Sequence, residues 1–401
     1  MEYKEYQLIE LTNKIFSGGT PKTKEKSYWG GKYKWLSSGE TSSDFIEDTE
    51  KTITEEGIKK SSTKLAYKND VVIASAGQGK TRGQTSLLLV DSYINQSVIA
   101  IRANEEFLDY KYLYYNLKMR YKELRAISDS TSTRGSLSTK LLKELKIKIP
   151  TLDIQNVISN VLYTYDKKIE INKKIISNLE AQAQALFKYY FVDFEPFVDG
   201  NFVDSELGQI PEGWKVIELG NIFEFKKGKK PKKESMSIDE GVPYLVKGVV
   251  DGKDISEFTI DKKIVYINEL DIFMLMDGAN SGNIYYGFEG ALGSTFSKLE
   301  LKDDLLREVL YQFLLNNLNA IKNQNTGSAI PHANKDFINK MLLAIPDEIK
   351  MENICKCFKK LREMTLILTK QNQTLAYTRD ALLPKLMAGE IDLENLGGPY
   401  D

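Results

Sequence analysis

Residues 147–190, IKIPTLDIQNVISNVLYTYDKKIEINKKIISNLEAQAQALFKYY, and residues 343–386, LAIPDEIKMENICKCFKKLREMTLILTKQNQTLAYTRDALLPKL, decide the architecture. Both open by closing a short apolar run on Ile-Pro, at Pro150 and Pro346. In the first, Ile158, Leu162, Tyr165, Ile169, Asn172, Ile176, Leu179, Ala183, Leu186 and Tyr190 are spaced alternately four and three apart. That is a heptad seam, the pattern of a long helix that packs against another along one narrow stripe. The same spacing in the second selects Ile354, Phe358, Leu361, Thr365, Leu368, Asn372, Leu375, Arg379, Leu382 and Leu386. Each of these lies 196 residues after its counterpart, as Ile354 follows Ile158. The second seam is the poorer, interrupted by Thr365, Asn372 and Arg379. Pro384, which cannot donate an N–H, is expected to kink or end that helix near its last turn. Asn172 and Asn372, on seam positions, are candidates for fixing register.

Working outward, the segments before each seam also repeat, and repeats of this kind govern the fold. Residues 8–23, LIELTNKIFSGGTPKT, parallel 214–233, WKVIELGNIFEFKKGKKPKK. Both read as a strand ending in Glu-Leu, a helical turn, then a Gly/Lys loop closing on Pro21 or Pro231. Residues 69–83, NDVVIASAGQGKTRG, parallel 270–283, LDIFMLMDGANSGN, with Asp70 to Gly77 matching Asp271 to Gly278. The amphipathic helices YLYYNLKMRYKEL (112–124) and VLYQFLLNNLNAI (309–321) follow. Last come TSTRGSLSTKLLKELKIKIP (131–150) and GSAIPHANKDFINKMLLAIP (327–346). The reading is therefore α+β, written twice: two similar globules, each followed by a long helix, with an internal pseudo-two-fold repeat. The boundaries are 1–152 for the first globule, 153–195 for the first long helix, 196–347 for a linker and the second globule, and 348–401 for the second long helix and tail. Pro196, Gly200, Gly208, Pro211 and Gly213 mark the linker.

Composition narrows the function classes. The chain has 401 residues, 42% of them hydrophobic and 28% charged, enough for two or more cored domains. No run of 18 apolar residues exists, so a membrane span is not expected, and the polar start MEYKEYQLIEL lacks a signal-peptide core, which makes the cytoplasm the expected location. Cys355 and Cys357 are the only cysteines, in a spacing that a helix turns to different faces, and His332 is the only histidine. That removes multi-histidine and multi-cysteine metal sites and leaves one candidate base for a hydrolytic triad. The formal net charge is −1; a sequence-independent DNA binder is usually strongly basic, whereas a specific one can be neutral overall if its lysines and arginines share one surface, so composition alone neither supports nor excludes DNA.

These residues resemble a known family. FVDFEPFVDGNFVDSELGQIPEGWKVIELG (191–220) and RDALLPKLMAGEID (379–392) are similar to the specificity subunit of type I restriction-modification systems, and the resemblance covers nearly the whole chain. It implies that the globules are target-recognition domains reading double-stranded DNA. It implies that the helices pack antiparallel into a coiled coil that spaces the two domains. It further implies two modification subunits, which carry S-adenosylmethionine and the adenine-methylating chemistry, and restriction (motor-nuclease) subunits using ATP and Mg. This chain would bind no cofactor and hold no catalytic residue. In agreement, it carries neither an N/D-P-P-Y/F tetrapeptide nor a nuclease P-D…E-x-K cluster.

Residues 74–81, ASAGQGKT, fit a relaxed phosphate-loop pattern, with LLLVD (87–91) as the second nucleotide motif. A phosphate loop must open a helix whose N–H groups face the phosphates. Here Arg82, Gly83 and Gln84 lead into SLLLV, which reads as a strand, so the segment is expected to be a hairpin. Gln78, Lys80, Thr81, Arg82 and Gln84, with Asn280, Ser281 and Asn283 in the second half, are then candidate donors to base edges and phosphates. Arg134 and His332 are the candidates in the second polar loop of each half. Lys226, Lys227, Lys229 and Lys230, from KKGKKPKK, are candidate phosphate contacts. Trp29 and Trp35 read as anchors of a loop rather than base-stacking groups. The polar side chains of GQGKTRGQ and GANSGNIY differ almost throughout, so the two halves are expected to read different sequences. A helix over 154–191 would be roughly 57 Å long at ~1.5 Å per residue, more than one duplex turn, which predicts unread bases between two half-sites. Two other readings compete: a nucleotide-binding or nuclease enzyme, and a coiled-coil adaptor that binds only proteins.

Overall fold

The computed structural model describes residues 2–77, 79–129, 135–232, 234–235, 241–253, 255–327 and 331–391. Both seams form long helices, Leu152–Phe191 and Glu348–Ala388. Every seam position on both is buried or half-buried, including Asn172, Thr365, Asn372 and Arg379. The second helix does not end at Pro384, which corrects that half of the expectation. It continues to Ala388 because Leu383, Leu386 and Met387 are buried in a core. Their burial outweighs the single hydrogen bond a proline forfeits. Each Ile-Pro closes a strand, Lys146–Ile149 or Leu342–Ile345, and each strand pairs antiparallel with the one that opens its own half, Lys4–Gln7 or Lys215–Glu218. The pairing brings both ends of a globule together at the base of its long helix.

The chain divides into two compact units, residues 1–171 with 372–401, and residues 172–371. Each unit takes one half of each long helix. Within the first unit, Ile158 and Leu162 share a core with Leu383 and Leu386, while Asp166 pairs with Arg379. Within the second unit, Asn172 Nδ2 donates to Gln371 Oε1 at 2.8 Å, and Ala183 and Phe187 share a core with Ile354 and Phe358. In each unit, then, rising numbers on the first helix meet falling numbers on the second, and the two run antiparallel as a coiled coil.

In the first unit, Thr12–Ser17, Val98–Ala103, Val71–Ala74, Thr85–Leu88 and Phe45–Ile46 form a five-stranded sheet in that order. Lys51–Ile53, Trp29–Leu36, Ser92–Ile94 and Lys64–Ala66 form a four-stranded sheet. Side chains alternate across a strand, and the first sheet shows it. Val71, Ile73, Ile99 and Ile101 enter a core shared with the helices, while Val72, Val98 and Ala100 enter a smaller core with Leu36 and Ile94. Buried on both faces, these strands need the unbroken apolar runs that the sequence carries.

The second unit repeats the plan. Phe223–Lys227, Phe296–Leu301, Phe273–Leu275 and Ile284–Tyr285 form one sheet. Glu234–Ser235, Phe258–Thr259, Val242–Leu245, Gly290–Leu292 and Tyr266–Ile267 form another. Met274 faces the helix-side core, and Phe273 and Leu275 face the smaller one. Even the parallel pairing of Trp35–Leu36 with Tyr93–Ile94 recurs, as Tyr244–Leu245 with Ala291–Leu292. The expected linker contains an antiparallel hairpin, Phe202–Ser205 with Gly208–Pro211. Trp214 follows it, edge-on to Phe191, Phe194 and Phe197.

Candidate functional site

In each unit three polar segments leave the same end of one sheet. The strand registers establish this. Ser17 lies opposite Ile99, and Val98 lies opposite Ala74, so the chain leaving at Gly18 and the chain leaving at Ser75 depart together. In the second unit Lys227 lies opposite Ser297, and Phe296 lies opposite Leu275, so the lysine run and the loop after Leu275 depart together. The third segment joins by a backbone hydrogen bond common to both halves. Leu137 N donates to Ser75 O at 2.9 Å, and Ala333 N donates to Met276 O at 2.9 Å.

The central segment of each trio is a hairpin. In the first unit Ala74 N donates to Gln84 O at 3.0 Å and Gly83 N to Ala74 O at 2.9 Å. In the second, Leu275 N donates to Asn283 O at 2.9 Å and Gly282 N to Leu275 O at 2.8 Å. Gly83 and Gly282 occupy the same turn position at φ +87° and +95°, a region that costs glycine nothing and other residues strain. Both hairpins are entered from a buried aspartate. Asp70 caps Tyr67 N at 2.9 Å and accepts two bonds from Arg102, at 2.9 and 2.7 Å. This pairing raises the Arg102 guanidinium further above its usual value. Asp271 caps Asn268 N at 2.8 Å and accepts from Lys298 Nζ at 2.9 Å. The Asp-to-glycine spacing is therefore structural: a capped turn, a buried strand, then the loop. No helix opens after Thr81, because the chain turns back into Thr85–Leu88, antiparallel to Val71–Ala74. The phosphate-loop reading fails on that geometry.

Lys80 and Asn280 are exposed at the hairpin tips, and Thr81, Gln84 and Asn283 are half-buried. Asn283 Nδ2 reaches Tyr285 Oη at 3.3 Å. Lys226, Lys227, Lys229 and Lys230 are exposed, although Lys226 pairs with Glu300 at 3.1 Å. Gly228 separates them for a steric reason. A Cβ there would stand 2.2 Å from Gly293 O, as one on Gly18 would stand 1.9 Å from Ile94 O. His332 is exposed, with Nδ1 2.8 Å from Asp277 Oδ1.

Two expected donors turn inward. Arg82 is only 6% exposed, and its guanidinium forms an ion pair with Asp129 and packs against Gly135. Ser281 is wholly buried, and its Oγ and carbonyl accept from Asn325 Nδ2 at 2.8 and 3.1 Å. Both residues brace their loops from within, so neither presents a donor to an outside partner. Gln78 and Arg134 lie outside the described residues. Trp29 and Trp35 form the expected anchor. They meet edge-on at 5.0 Å, and Trp35 Nε1 donates to Gly19 O at 3.3 Å.

The sequence reading missed the residues beneath the first hairpin. Tyr121 Oη donates to Lys80 O at 2.7 Å, and Arg125 Nη1 donates to Gly79 O and, at 3.4 Å, to Arg82 O. No spacing signal links residues so far apart in sequence. Among the described residues, no group of three or more His, Cys, Asp or Glu side chains could hold a metal ion, and no helix is long and apolar enough to cross a membrane.

Comparison with known proteins agrees with this geometry. Residues 1–181 and 211–376 match the family described as Type I restriction modification DNA specificity domain. The chain is 30% identical to the type I restriction enzyme MjaIX specificity subunit of Methanocaldococcus jannaschii, over 97% of this chain and 93% of that protein. It is 29% identical to the MjaVIII specificity subunit of the same organism, over 47% of this chain and 45% of that one. Among solved structures, a type I restriction-modification S subunit from M. genitalium superposes with a TM-score of 0.62 at 18% identity, over 96% of each chain, a likeness of fold.

Proposed function

The chain belongs to the family of type I restriction-modification DNA specificity subunits, and from that membership we propose that each of its units reads one half of an asymmetric, bipartite DNA site. The observation that carries this reading is the trio of polar segments at one sheet end of each unit. The hairpin of each unit is closed by the same backbone hydrogen bonds, although the second is two residues shorter, while the exposed side chains differ. A shared scaffold with different donors suits two readers of two sequences, because base edges are distinguished by donor and acceptor pattern. Lys80, Thr81 and Gln84 would serve one half-site, and Asn280, Asn283 and His332 the other. The exposed lysines of residues 226–230 would contact phosphates and so fix position without reading sequence. A 40-residue helix is about 60 Å long, longer than one duplex turn, which supports unread bases between the half-sites.

The chain itself would be non-catalytic and bind no cofactor. Modification subunits, two per chain, would bring S-adenosylmethionine and methylate adenine. Restriction subunits would bring ATP and Mg, and the whole complex would work in the cytoplasm. The chain purified without partners is expected to show no methyltransferase, nuclease or ATPase turnover. Turnover that follows the chain through purification would return the enzyme reading to the front.

The decisive experiment is the methylation motif of a genome in cells expressing the chain with its modification partner. A two-part, non-palindromic motif is expected, and a continuous or palindromic one refutes the proposal. A companion measurement concerns the lysines. Replacing Lys227 and Lys230 by alanine should weaken binding to all DNA alike and flatten the log–log salt dependence by roughly 0.9 per lost phosphate contact. An unchanged slope removes these lysines from the interface.

A further inference from the structure

We infer that Tyr121 and Arg125 in the first unit, and Asn325 in the second, are positioning residues that set which bases each half-site accepts, acting through the backbone of the neighbouring hairpin. The inference rests on the reading above, in which the hairpins face DNA. Beyond the backbone bonds that close it and the Arg82–Asp129 pair, the first hairpin has little of its own to hold its shape. Gly77, Gly79 and Gly83 stand at φ +130°, +70° and +87°, and such residues leave a loop many accessible conformations. What restrains it comes from the helix Tyr121–Asp129. Of the four carbonyls from Gly79 to Arg82, three accept from that helix: Gly79 and Arg82 from Arg125, and Lys80 from Tyr121. The Tyr121 ring also lies 3.5 Å from where a Gly83 side chain would begin. Arg125 Nη1 lies 3.3 Å from Tyr121 Oη, and among the described residues it forms no ion pair. Its Nη1 serves the two loop carbonyls and the Tyr121 hydroxyl.

The second unit places a different brace at the same point. Its hairpin is two residues shorter, with Leu275 to Gly282 standing for Ala74 to Gly83. Asn325 lies just after the helix Leu318–Asn323, which packs against Gly282 through Ile321 and Lys322. One amide group therefore holds Ser281 by both its carbonyl and its hydroxyl. In both units the helix that follows the buried Tyr110–Met119 or Arg307–Asn316 sets the shape of the hairpin. None of the three braces needs to touch DNA. A base contact discriminates only when its donors are held in one geometry, whereas a phosphate contact tolerates a loop that wanders. Loosening a brace should therefore reduce selectivity more than affinity.

The test uses the full chain co-expressed with its modification partner and reads genome-wide methylation for Tyr121→Phe, Arg125→Lys, Asn325→Ala and the unaltered chain, with the Tm of each purified protein. Arg125→Lys keeps the charge but ends one bond short of Nη1 on a more flexible stem, so it does not hold both carbonyls in the same geometry. Tyr121→Phe removes one hydroxyl. Both should raise methylation at sites mismatched in one half of the motif about tenfold relative to the cognate site, the order that one lost hydrogen bond supports. Asn325→Ala should do so in the other half only; Tm should stay unchanged for Tyr121→Phe and Arg125→Lys and fall for Asn325→Ala, which leaves the buried Ser281 hydroxyl and carbonyl without their donor. A selectivity ratio that stays the same, or a loss of methylation at all sites with a falling Tm, overturns the assignment. Should the unaltered complex mark no bipartite motif, the reading of the hairpins fails and takes this inference with it. A bipartite motif that all three substitutions leave intact fails only the braces.

Discussion

Arg379→Ala is expected to lower the stability of the chain by about 3–5 kcal/mol, the usual consequence of leaving a buried charge without its partner. Asp166, on the first long helix, is 2% exposed. Its Oδ2 accepts from Tyr115 Oη at 2.6 Å, and its Oδ1 accepts from Arg379 Nη1 on the second long helix. Burial works against the Arg379 charge, but the Asp166 carboxylate more than offsets it, and the guanidinium is held above its ordinary value. Burial, reinforced by the same carboxylate, raises the Tyr115 phenol well above its usual range, so it stays a donor. Removing Arg379 leaves the carboxylate one hydroxyl donor in a site closed to water. Replacing Asp166 and Arg379 by leucine and Tyr115 by phenylalanine together should recover most of the loss, since no polar group is then left buried without a partner. Urea denaturation monitored by circular dichroism measures both. If Arg379→Ala costs under about 1 kcal/mol, the pair is not what joins the two helices there, because that is the range of an exposed ion pair.

The same residue shows what the sequence could and could not convey about the helices. Heptad spacing reports which face of a helix is covered, and it selected the covered face correctly along both helices. It scored Thr365 and Arg379 as interruptions because it weighs only apolarity. In the structure Thr365 Oγ1 bonds back to Leu361 O at 3.0 Å, and Arg379 is answered by an aspartate one position off the opposing seam. The pairing depends on antiparallel register, which no single-helix pattern contains. The register also makes Arg362 the equivalent of Asp166, 196 residues later, with the charge reversed. Arg362 pairs with Glu308 at 2.8 Å and lies over the rings of Tyr286 and Tyr311.

For the recognition segments, legibility stopped at the backbone. Gly83, Gly282, Asp70 and Asp271 recur because a tight turn and a capped strand each demand a particular residue, so both hairpins could be placed. Which loop side chains point outward could not be read in the same way. A glycine-rich loop has no period, and neighbours such as Asn280 and Ser281 differ completely in burial. What turns Ser281 inward is Asn325, and what turns Arg82 inward is Asp129, each more than 40 residues distant. Long-range polar pairing of that kind leaves no local trace in composition or spacing.

Asn280→Ala is expected to relax one half of the recognised motif by about five- to 150-fold, which corresponds to the 1–3 kcal/mol of a good bidentate base contact. Asn280 is exposed at the tip of the second hairpin, its carbonyl accepts from Asn283 N at 3.1 Å, and its side chain makes no hydrogen bond among the described residues. Removing that side chain costs the fold little, so stability should stay within about 0.5 kcal/mol, as for a surface change. Ser281→Ala, one residue on, is the contrasting case. It deletes a buried acceptor for Asn325 Nδ2, so it should destabilise the second unit by about 1–3 kcal/mol. Competition binding with each half-site scrambled in turn, at two salt concentrations, separates the roles. A reader loses discrimination at its own half-site and keeps its salt slope, because no phosphate contact has gone. If Asn280→Ala weakens binding equally to both scrambled sites and to random DNA, the second hairpin does not read bases, and the first, built on the same backbone, loses its assignment with it.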